Sequence, residues 1–210
     1  GLKQHTGNWP GKTVTNAQGK YRYKNNNYIM VDIPGTYSLM ANSAEEEVAR
    51  DFICFGGPDA VVVVADATCL ERNLNLVLQT MEITENVVLC VNLMDEAKKK
   101  KIRIDLKQLA SQLGIPIVGT SARSGHGLDQ LMDAVASLTD GSFKANPLRV
   151  TYGEEIENAV SMVESAVADA LQGKVNSRWI SLKLLDGDES LLRSLKEYLG
   201  YDLMQNEEIL

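Results

Sequence analysis

The stretch that most constrains this chain is the apolar run between Asn86 and Asn92, which reads Val-Val-Leu-Cys-Val. A short run rich in β-branched residues, followed directly by the charged residues 95–101, is typical of a buried parallel strand that ends in a loop. Open α/β sheets bind their ligands at the carboxyl ends of such strands. The polar residues that leave this strand, Asn92 and Asp95, are therefore the first candidates for a binding site.

Strands and helices alternate on both sides of this run. Ser43 and Glu46 form a capping box that predicts a helix to about Phe55, and residues 60–65 predict a strand buried between helices on both faces. A helical pattern follows, and a short strand is predicted at 116–119 before a last amphipathic helix. This alternation predicts an α/β fold with a mostly parallel sheet that helices cover on both faces.

The two ends of the chain carry different patterns. Residues 1–11 contain Gly and Pro without an apolar period and are predicted to form a loop. Residues 12–32 predict a hairpin, with turns at 16–19 and 25–27 and strands at 20–24 and 28–32. Beyond Pro147 only helices are predicted, at about 154–171, 179–185 and 190–199. We therefore expect two domains, an α/β domain at 1–142 and a small all-helical domain at 143–210.

Composition excludes several functions. Lys and Arg number 21 against 28 Asp and Glu, a net charge of −7, which excludes broad attraction to nucleic acid or anionic lipid. The basic run Lys98–Lys101 is read as a solvated helix face. The three cysteines lie in or beside apolar segments and are predicted to be reduced core residues. No apolar run approaches the roughly 18 residues that a membrane span needs, and no signal peptide is recognised.

Three loops are predicted to leave the carboxyl ends of strands in one sheet. They are Asp32-Ile33-Pro34-Gly35, Asn92-Leu93-Met94-Asp95 and Ser121-Ala122-Arg123. Each alone is ordinary turn chemistry. Their order and spacing fit the D-x-x-G, N-x-x-D and S-A-x elements of a GTPase, so together they predict a guanine-nucleotide site.

These residue types suit the base and the phosphates. Asp95 can accept hydrogen bonds from two adjacent donors of guanine, whereas adenine has no donor at N1. Asn92 can either tie neighbouring loops together or reach the base, and Ser121 with the Ala122 amide can hold the opposite edge. Asp32 can hold Mg²⁺ through a water, because this ion prefers oxygen ligands and keeps part of its hydration shell.

The phosphate end of the site needs residues with little bulk or with a hydroxyl. The Gly35 N–H can approach a γ-phosphate that a side chain would obstruct. Thr13 can offer its hydroxyl to Mg²⁺ and its amide to the γ-phosphate, so that its loop is ordered with GTP and released after hydrolysis. The alternative for Thr13 is simply the first residue of a strand.

Four segments together resemble the cytosolic amino-terminal region of the FeoB ferrous iron transporters. They are Gly7-Asn-Trp-Pro-Gly-Lys-Thr-Val14, Asp32-Ile-Pro-Gly-Thr-Tyr-Ser-Leu39, Asn92-Leu-Met-Asp95 and Arg178-Trp-Ile-Ser-Leu-Lys-Leu-Leu-Asp-Gly-Asp188. The resemblance covers essentially the whole chain. It implies a Ras-like P-loop GTPase fold followed by a helical spacer domain that favours the GDP-bound state. The implied function is a slowly hydrolysing guanine-nucleotide switch, the regulatory part of a ferrous iron uptake transporter at the cytoplasmic face of the bacterial inner membrane.

The resemblance also implies the site residues by position. The base site comprises Asn92, Leu93, Met94, Asp95, Ser121, Ala122 and Arg123. The phosphate site comprises switch I (Gly11, Lys12, Thr13, Val14 and Thr15) and switch II (Asp32, Ile33, Pro34 and Gly35). Mg²⁺ is expected on Thr13 and, through water, on Asp32. In family members that potassium activates, switch I carbonyls hold K⁺, here those of Gly7 and Trp9.

The implied ligands are GTP and GDP. The implied partners are a membrane-embedded transport domain beyond Leu210, a small accessory iron-uptake protein and a second copy of the chain, with no nucleic acid.

Three departures from the GTPase pattern matter. No G-x-x-x-x-G-K-[ST] sequence occurs in the 210 residues, so we expect the first strand and the P-loop to belong immediately before Gly1. Leu93 stands where Ras-like GTPases have a Lys whose stem covers the base. Thr36 follows Gly35 where Ras-like proteins carry a water-orienting Gln, so hydrolysis is expected to be slow.

Two other functions remain open from the sequence. One is an interaction module that keeps the fold but binds no nucleotide, which the residues upstream of Gly1 would discriminate. The other is a GTPase of ribosome or tRNA maturation. That function predicts a basic surface or an RNA-binding domain, and the acidic balance of this chain argues against it.

Overall fold

The computed structural model describes residues 5–9, 12–206 and 209, with side chains from Ala17 onward. The chain divides into two compact units, Gly1–Gly57 with Thr151–Leu210, and Pro58–Val150. The strands are β1 (His5–Trp9), β2 (Lys12–Tyr23), β3 (Asn26–Asp32), β4 (Val61–Asp66), β5 (Val87–Asn92) and β6 (Ile117–Gly119). The helices are α1 (Ala44–Phe55), α2 (Leu70–Ile83), α3 (Met94–Lys99), α4 (Leu106–Leu113), α5 (Leu128–Thr139), α6 (Glu154–Leu171), α7 (Ser177–Asp186) and α8 (Glu189–Leu199).

The central strand of the Pro58–Val150 unit is β5, which pairs in parallel with β4 on one side and β6 on the other. All five residues from Val87 to Val91 are buried, so both faces of β5 are covered, as the sequence predicts. Helix α2 contacts β4 and β5, α4 contacts β6, and α5 contacts β5 and β6. The register sets Asp66 opposite Asn92, so the polar ends of two strands lie side by side.

Only one face of β4 is buried, and the prediction that helices cover both faces of this strand is wrong. Val63 and Ala65 join the core together with Val77 and Met81 of α2. On the other face Val62 is 37% exposed and Val64 is 61% exposed. The apolar run therefore predicted the strand correctly, but it did not predict that the second face of the strand is exposed.

The other sheet is antiparallel, in the order β1, β2, β3. Residues 5–9, predicted as a loop, form β1, and the turn predicted at 16–19 is wrong because β2 runs on through these residues. Ala17 pairs with Thr6 on one side and with Asp32 on the other, and this pairing on both sides outweighs the turn preference of Asn16 and Gly19. The second predicted turn lies at the junction of β2 and β3.

The prediction that all three site loops leave one sheet is also wrong. Among the described strands β3 pairs only with β2, and β4 pairs only with β5. Since no described strand bonds to both β3 and β4, Asp32 ends a strand of the antiparallel sheet, whereas Asn92 ends a strand of the parallel sheet. Strand ends can be recognised from local sequence, but sheet partners depend on residues distant in the chain.

Helix boundaries follow the sequence signals closely. Ser43 Oγ accepts a hydrogen bond from the Glu46 N–H at 3.2 Å, and Glu46 Oε2 accepts one from the Asn42 N–H at 2.9 Å. This is the predicted capping box, with the reciprocal bond one residue earlier. No helix in residues 12–206 combines the length and the apolar character that crossing a bilayer requires.

A buried ion network joins α1 to α8. Arg50 and Asp51 are fully buried, and Arg50 Nη2 lies 2.7 Å from Asp51 Oδ1. Arg50 Nη1 also donates to Ser190 Oγ at 2.8 Å and to Asp188 Oδ2 at 3.4 Å. Ser194 completes the network by donating to Asp51 Oδ2 at 2.7 Å. Every charge is thus neutralised or hydrogen-bonded, which is the condition for burying charges at tolerable cost.

Candidate functional site

The loops that follow β5 and β6 are tied together by the side chain of Asn92. Its Oδ1 accepts one hydrogen bond from the Thr120 hydroxyl and one from the Ala122 N–H, both at 3.0 Å. Of the two roles that the sequence left open for Asn92, the structure therefore contains the tie between loops. A single amide oxygen has two lone pairs, so both are occupied by these donors.

The backbone between Asn92 and Asp95 is fixed by the neighbouring loop. Leu93 adopts a left-handed conformation with φ of 64°, which turns the chain from β5 into α3. Such a conformation costs a non-glycine residue about 1 kcal/mol or more and persists where the surroundings enforce it. Here the Met94 N–H donates to the Thr120 carbonyl and the Asp95 N–H donates to Ser121 Oγ, each at 3.1 Å.

The side chains that the loop presents are accessible. Asp95 is exposed, and Leu93 retains 38% of its surface. Asp95, Met94 and Ser121 line a cleft of about 1080 Å³, whose other walls include Lys98, Lys101, Ile102, Arg103, Ile104, Ser124 and His126. A carboxylate exposed on a backbone that is hydrogen-bonded on both sides is positioned to accept donors from a ligand without reorganising.

The loop after β6 is held by hydrogen bonds within the loop itself. Ser121 is 7% exposed, and its N–H donates to the His126 carbonyl at 3.0 Å. Ala122 begins a short 3₁₀ helix that runs to Ser124, in which Ala122 and Arg123 are exposed. The structure thus brings Asn92, Asp95, Ser121 and the Ala122 amide together, while Arg123 lies on the exposed side of the same loop.

Two glycines of this loop give a direct test of its backbone. Gly125 and Gly127 both have positive φ, 77° and 81°. A Cβ at Gly125 would meet nothing within 4 Å, whereas one at Gly127 would lie 2.3 Å from the Gly119 carbonyl oxygen. We expect Gly125→Ala to lose about 1 kcal/mol of unfolding free energy from backbone strain alone. Gly127→Ala should lose at least about 2 kcal/mol, because backbone must also move.

Urea unfolding of the two variants measures this difference. The Gly125→Ala variant is the control, since it carries the same added methyl group at a similar φ. Equal losses in both variants would contradict the close packing of the Ser121–Gly127 loop against β6.

The switch II segment lies in the other compact unit, after β3. Asp32 is exposed at the end of the strand, Ile33 and Pro34 are half-buried, and Gly35 is exposed. A Cβ at Gly35 would meet no protein atom within 4 Å, so the protein itself leaves the approach to this backbone open. The exposed carboxylate of Asp32 has the oxygen chemistry that Mg²⁺ prefers.

Thr36, which follows Gly35, has its hydroxyl engaged within its own loop. It donates to the Ser38 carbonyl at 2.6 Å, and the Ser38 N–H donates back to Thr36 Oγ1 at 3.2 Å. This local pair leaves Thr36 poorly suited to orient a water.

The switch I residues are described only by their backbone. Gly11 lies outside the described residues, and Lys12, Thr13, Val14 and Thr15 belong to β2. Opposite them, Gly7 pairs with Asn16 and Trp9 with Lys12, so the register shifts and β2 bulges across Thr13 to Thr15. A bulge redirects side chains locally, and bulges occur often beside functional sites.

Sequence reasoning missed two members of the predicted base loop, by which we mean residues 92–95 and 120–127 after β5 and β6. Thr120 is fully buried and bonds to Asn92, and His126 contributes its backbone carbonyl rather than its imidazole. A polar β-branched residue directly after a short strand was the only sequence signal for Thr120. No sequence signal identifies a carbonyl acceptor such as that of His126.

Two family models match the chain. The model described as "Ferrous iron transport protein B" matches residues 1–135, and the model of the FeoB cytosolic helical domain matches residues 152–209. A relative from Porphyromonas gingivalis, the Fe(2+) transport protein A/Fe(2+) transporter FeoB fusion protein, is 38% identical over 201 residues. That match covers 94% of this chain but 24% of the relative, so the chain spans about a quarter of the length of the curated relatives it matches.

Solved structures give the same result. The cytosolic domain of the T. maritima FeoB iron transporter in a GDP form superposes with a TM-score of 0.77 at 35% identity, covering 100% of this chain and 82% of that one. The GMPPNP form of the same domain gives a TM-score of 0.77 at 35% identity, covering 94% of this chain and 77% of that one.

Proposed function

Because this chain belongs to the FeoB family of ferrous iron transport proteins, we propose that it is the guanine-nucleotide switch of a ferrous iron uptake transporter. One observation carries the proposal. Asn92 joins the loop after β5 to the loop after β6 by two hydrogen bonds, and the Asp95 carboxylate is exposed beside this junction. The structures of the T. maritima relative in GDP and GMPPNP forms support a nucleotide of this class.

Recognition of the base follows from the donors and acceptors available. Asp95 accepts hydrogen bonds from guanine N1–H and the N2 amine, a pair of adjacent donors that adenine lacks. The oxygen of Asn92 is already occupied, so its amide nitrogen is the end that donates to guanine N7. Leu93 packs on the face of the base, and Ser121 and the Ala122 amide support the opposite edge. Met94 and Arg123 complete the base site.

The residues proposed for the phosphate site are assigned from the family resemblance and from the chemistry of their donor and ligand atoms. Thr13 and, through water, Asp32 would hold Mg²⁺, and the Gly35 N–H would donate to the γ-phosphate. Mg²⁺ held there would supply positive charge beside the phosphates. Lys12, Val14, Thr15, Ile33 and Pro34 would complete the two switches, and the Gly7 and Trp9 carbonyls would hold K⁺. The P-loop that family GTPases use for the phosphates is not in the 210 residues.

Slow hydrolysis and a switch between two states complete the proposal. With Thr36 in place of a water-orienting Gln, we expect a turnover on the order of 10⁻⁴ s⁻¹ or slower. The G domain spans residues 1–142 and the helical domain spans 143–210, close to the ranges of the two family matches. The nucleotide state is relayed to a membrane-embedded transport domain at the cytoplasmic face of the bacterial inner membrane. A small accessory iron-uptake protein and a second copy of the chain are further partners.

Phosphate release from GTP tests this function. The assay compares GTP with ATP, in magnesium with either potassium or sodium, on this chain and on the same chain preceded by a strand and P-loop segment. We expect slow release from GTP and none from ATP in the longer protein, with potassium increasing the rate. Equal phosphate release from both nucleotides would contradict guanine selection. No phosphate release from either nucleotide would contradict the GTPase function and favour the interaction module that binds no nucleotide.

A further inference from the structure

Thr120 is a polar residue that the protein encloses completely. It is 0% exposed, its N–H donates to the Val91 carbonyl at 2.8 Å, and its carbonyl accepts from the Met94 N–H. Both backbone groups of Thr120 are therefore bonded, and its hydroxyl is the polar group that remains to bond to neighbouring side chains. Its hydroxyl lies 3.0 Å from Asn92 Oδ1 and 3.3 Å from Cys90 Sγ.

The chemistry of these groups gives the contacts one direction. An amide oxygen only accepts, so the Thr120 hydroxyl spends its single proton on Asn92. The Cys90 thiol must then donate to the Thr120 oxygen. Burial raises the pKa of the Cys90 thiol, so burial favours the protonated form that this bond needs. The result is a short hydrogen-bond network that runs from Cys90 through Thr120 to Asn92.

This hydrogen-bond network fixes which way the planar amide of Asn92 faces. If the amide were flipped, its NH₂ would face the Ala122 N–H, which can only donate, and the Thr120 hydroxyl would have to turn from donor to acceptor. We propose that Thr120, supported by Cys90, is a positioning residue that fixes the Asn92 amide so that its nitrogen faces guanine N7. The proposal rests on the proposed function for its ligand, but its first half concerns only the protein.

Hydrogen exchange of the Ala122 amide tests the protein half without any nucleotide. The Ala122 N–H donates to Asn92 Oδ1 from an exposed residue, so its protection reports how firmly that oxygen is held. Thr120→Val keeps the shape and removes the hydroxyl, whereas Thr120→Ser keeps the hydroxyl. We expect exchange about fivefold faster in Thr120→Val and near wild-type exchange in Thr120→Ser. Unchanged protection in Thr120→Val would overturn the proposal.

A nucleotide cycle tests the second half, on the chain preceded by a strand and P-loop segment. Thr120→Val should weaken GDP binding about fivefold, with rescue by Thr120→Ser. The analogue 7-deaza-GDP lacks the N7 acceptor, so the same variant should leave its affinity unchanged. Equal weakening of both ligands would overturn the route through N7. If the wild-type chain shows no preference for GDP over ADP, the proposed function fails, and the exchange of Ala122 still decides whether Thr120 positions Asn92.

Discussion

Arg50→Ala is expected to lower the unfolding free energy by about 3–5 kcal/mol, because it leaves the carboxylate of Asp51 buried without its cation. Arg50 is fully buried, and three of its nitrogens donate to Asp51, Asp188 and Ser190. Removing Arg50 therefore removes several of the polar contacts between α1 and the start of α8 at once. Urea unfolding followed by far-UV circular dichroism measures the loss.

Arg178→Ala is the matched control for this prediction. Arg178 also bridges two helices, with both carboxylate oxygens of Glu157 at 2.8 to 3.0 Å, but water reaches this pair. We expect it to lose about 1 kcal/mol or less. Arg50→Met combined with Asp51→Leu should be more stable than Arg50→Ala, because the double variant leaves no carboxylate at position 51 to bury. A loss for Arg50→Ala no larger than for Arg178→Ala would contradict the buried network.

Asp95→Asn is expected to weaken GDP binding about 10- to 100-fold, the usual worth of hydrogen bonds to a charged acceptor. The same variant should gain affinity for xanthosine diphosphate, because the new amide can donate to the carbonyl that xanthine has at C2. Folding should be unaffected, since Asp95 is exposed and its N–H bond to Ser121 remains. Competition against a fluorescent nucleotide gives both affinities.

Glu96→Gln controls for the loss of one negative charge on α3. Glu96 follows Asp95 directly and pairs with Lys99 on the helix surface, away from the base loop. Its substitution should leave both nucleotide affinities within about twofold, since surface ion pairs contribute little. An Asp95→Asn protein that still prefers GDP over xanthosine diphosphate would rule out Asp95 as the base reader.

Local sequence signals predicted the elements of this fold well. The β-branched run before Asn92 became the fully buried β5, and the Ser43 capping box marks the start of α1. These signals act over a few residues, where propensity and capping chemistry are decided. The positions of Asn92 and Asp95 at the carboxyl end of β5 were predictable on the same grounds, because both residues follow the apolar run closely in sequence.

Features that depend on distant residues were not predictable in this way. Arg50 meets Asp188 across 138 positions of sequence, and Thr120 meets Asn92 across 28. The division of the strands into two sheets has the same origin, since pairing partners are set by tertiary packing. An Arg and an Asp on a helix ordinarily indicate a solvated face, so only the structure reveals that Arg50 and Asp51 are buried.

The central claim is that this chain selects a guanine nucleotide through the loops after β5 and β6. Titration with fluorescent GDP, competed by GDP, ADP and a non-hydrolysable GTP analogue in magnesium, tests it most directly. The titration is run on the 210-residue chain and on the same chain preceded by a strand and P-loop segment. We expect guanine-selective binding that is weak or absent in the first protein and tight in the second. No binding in either protein, or equal competition by ADP, would contradict the claim.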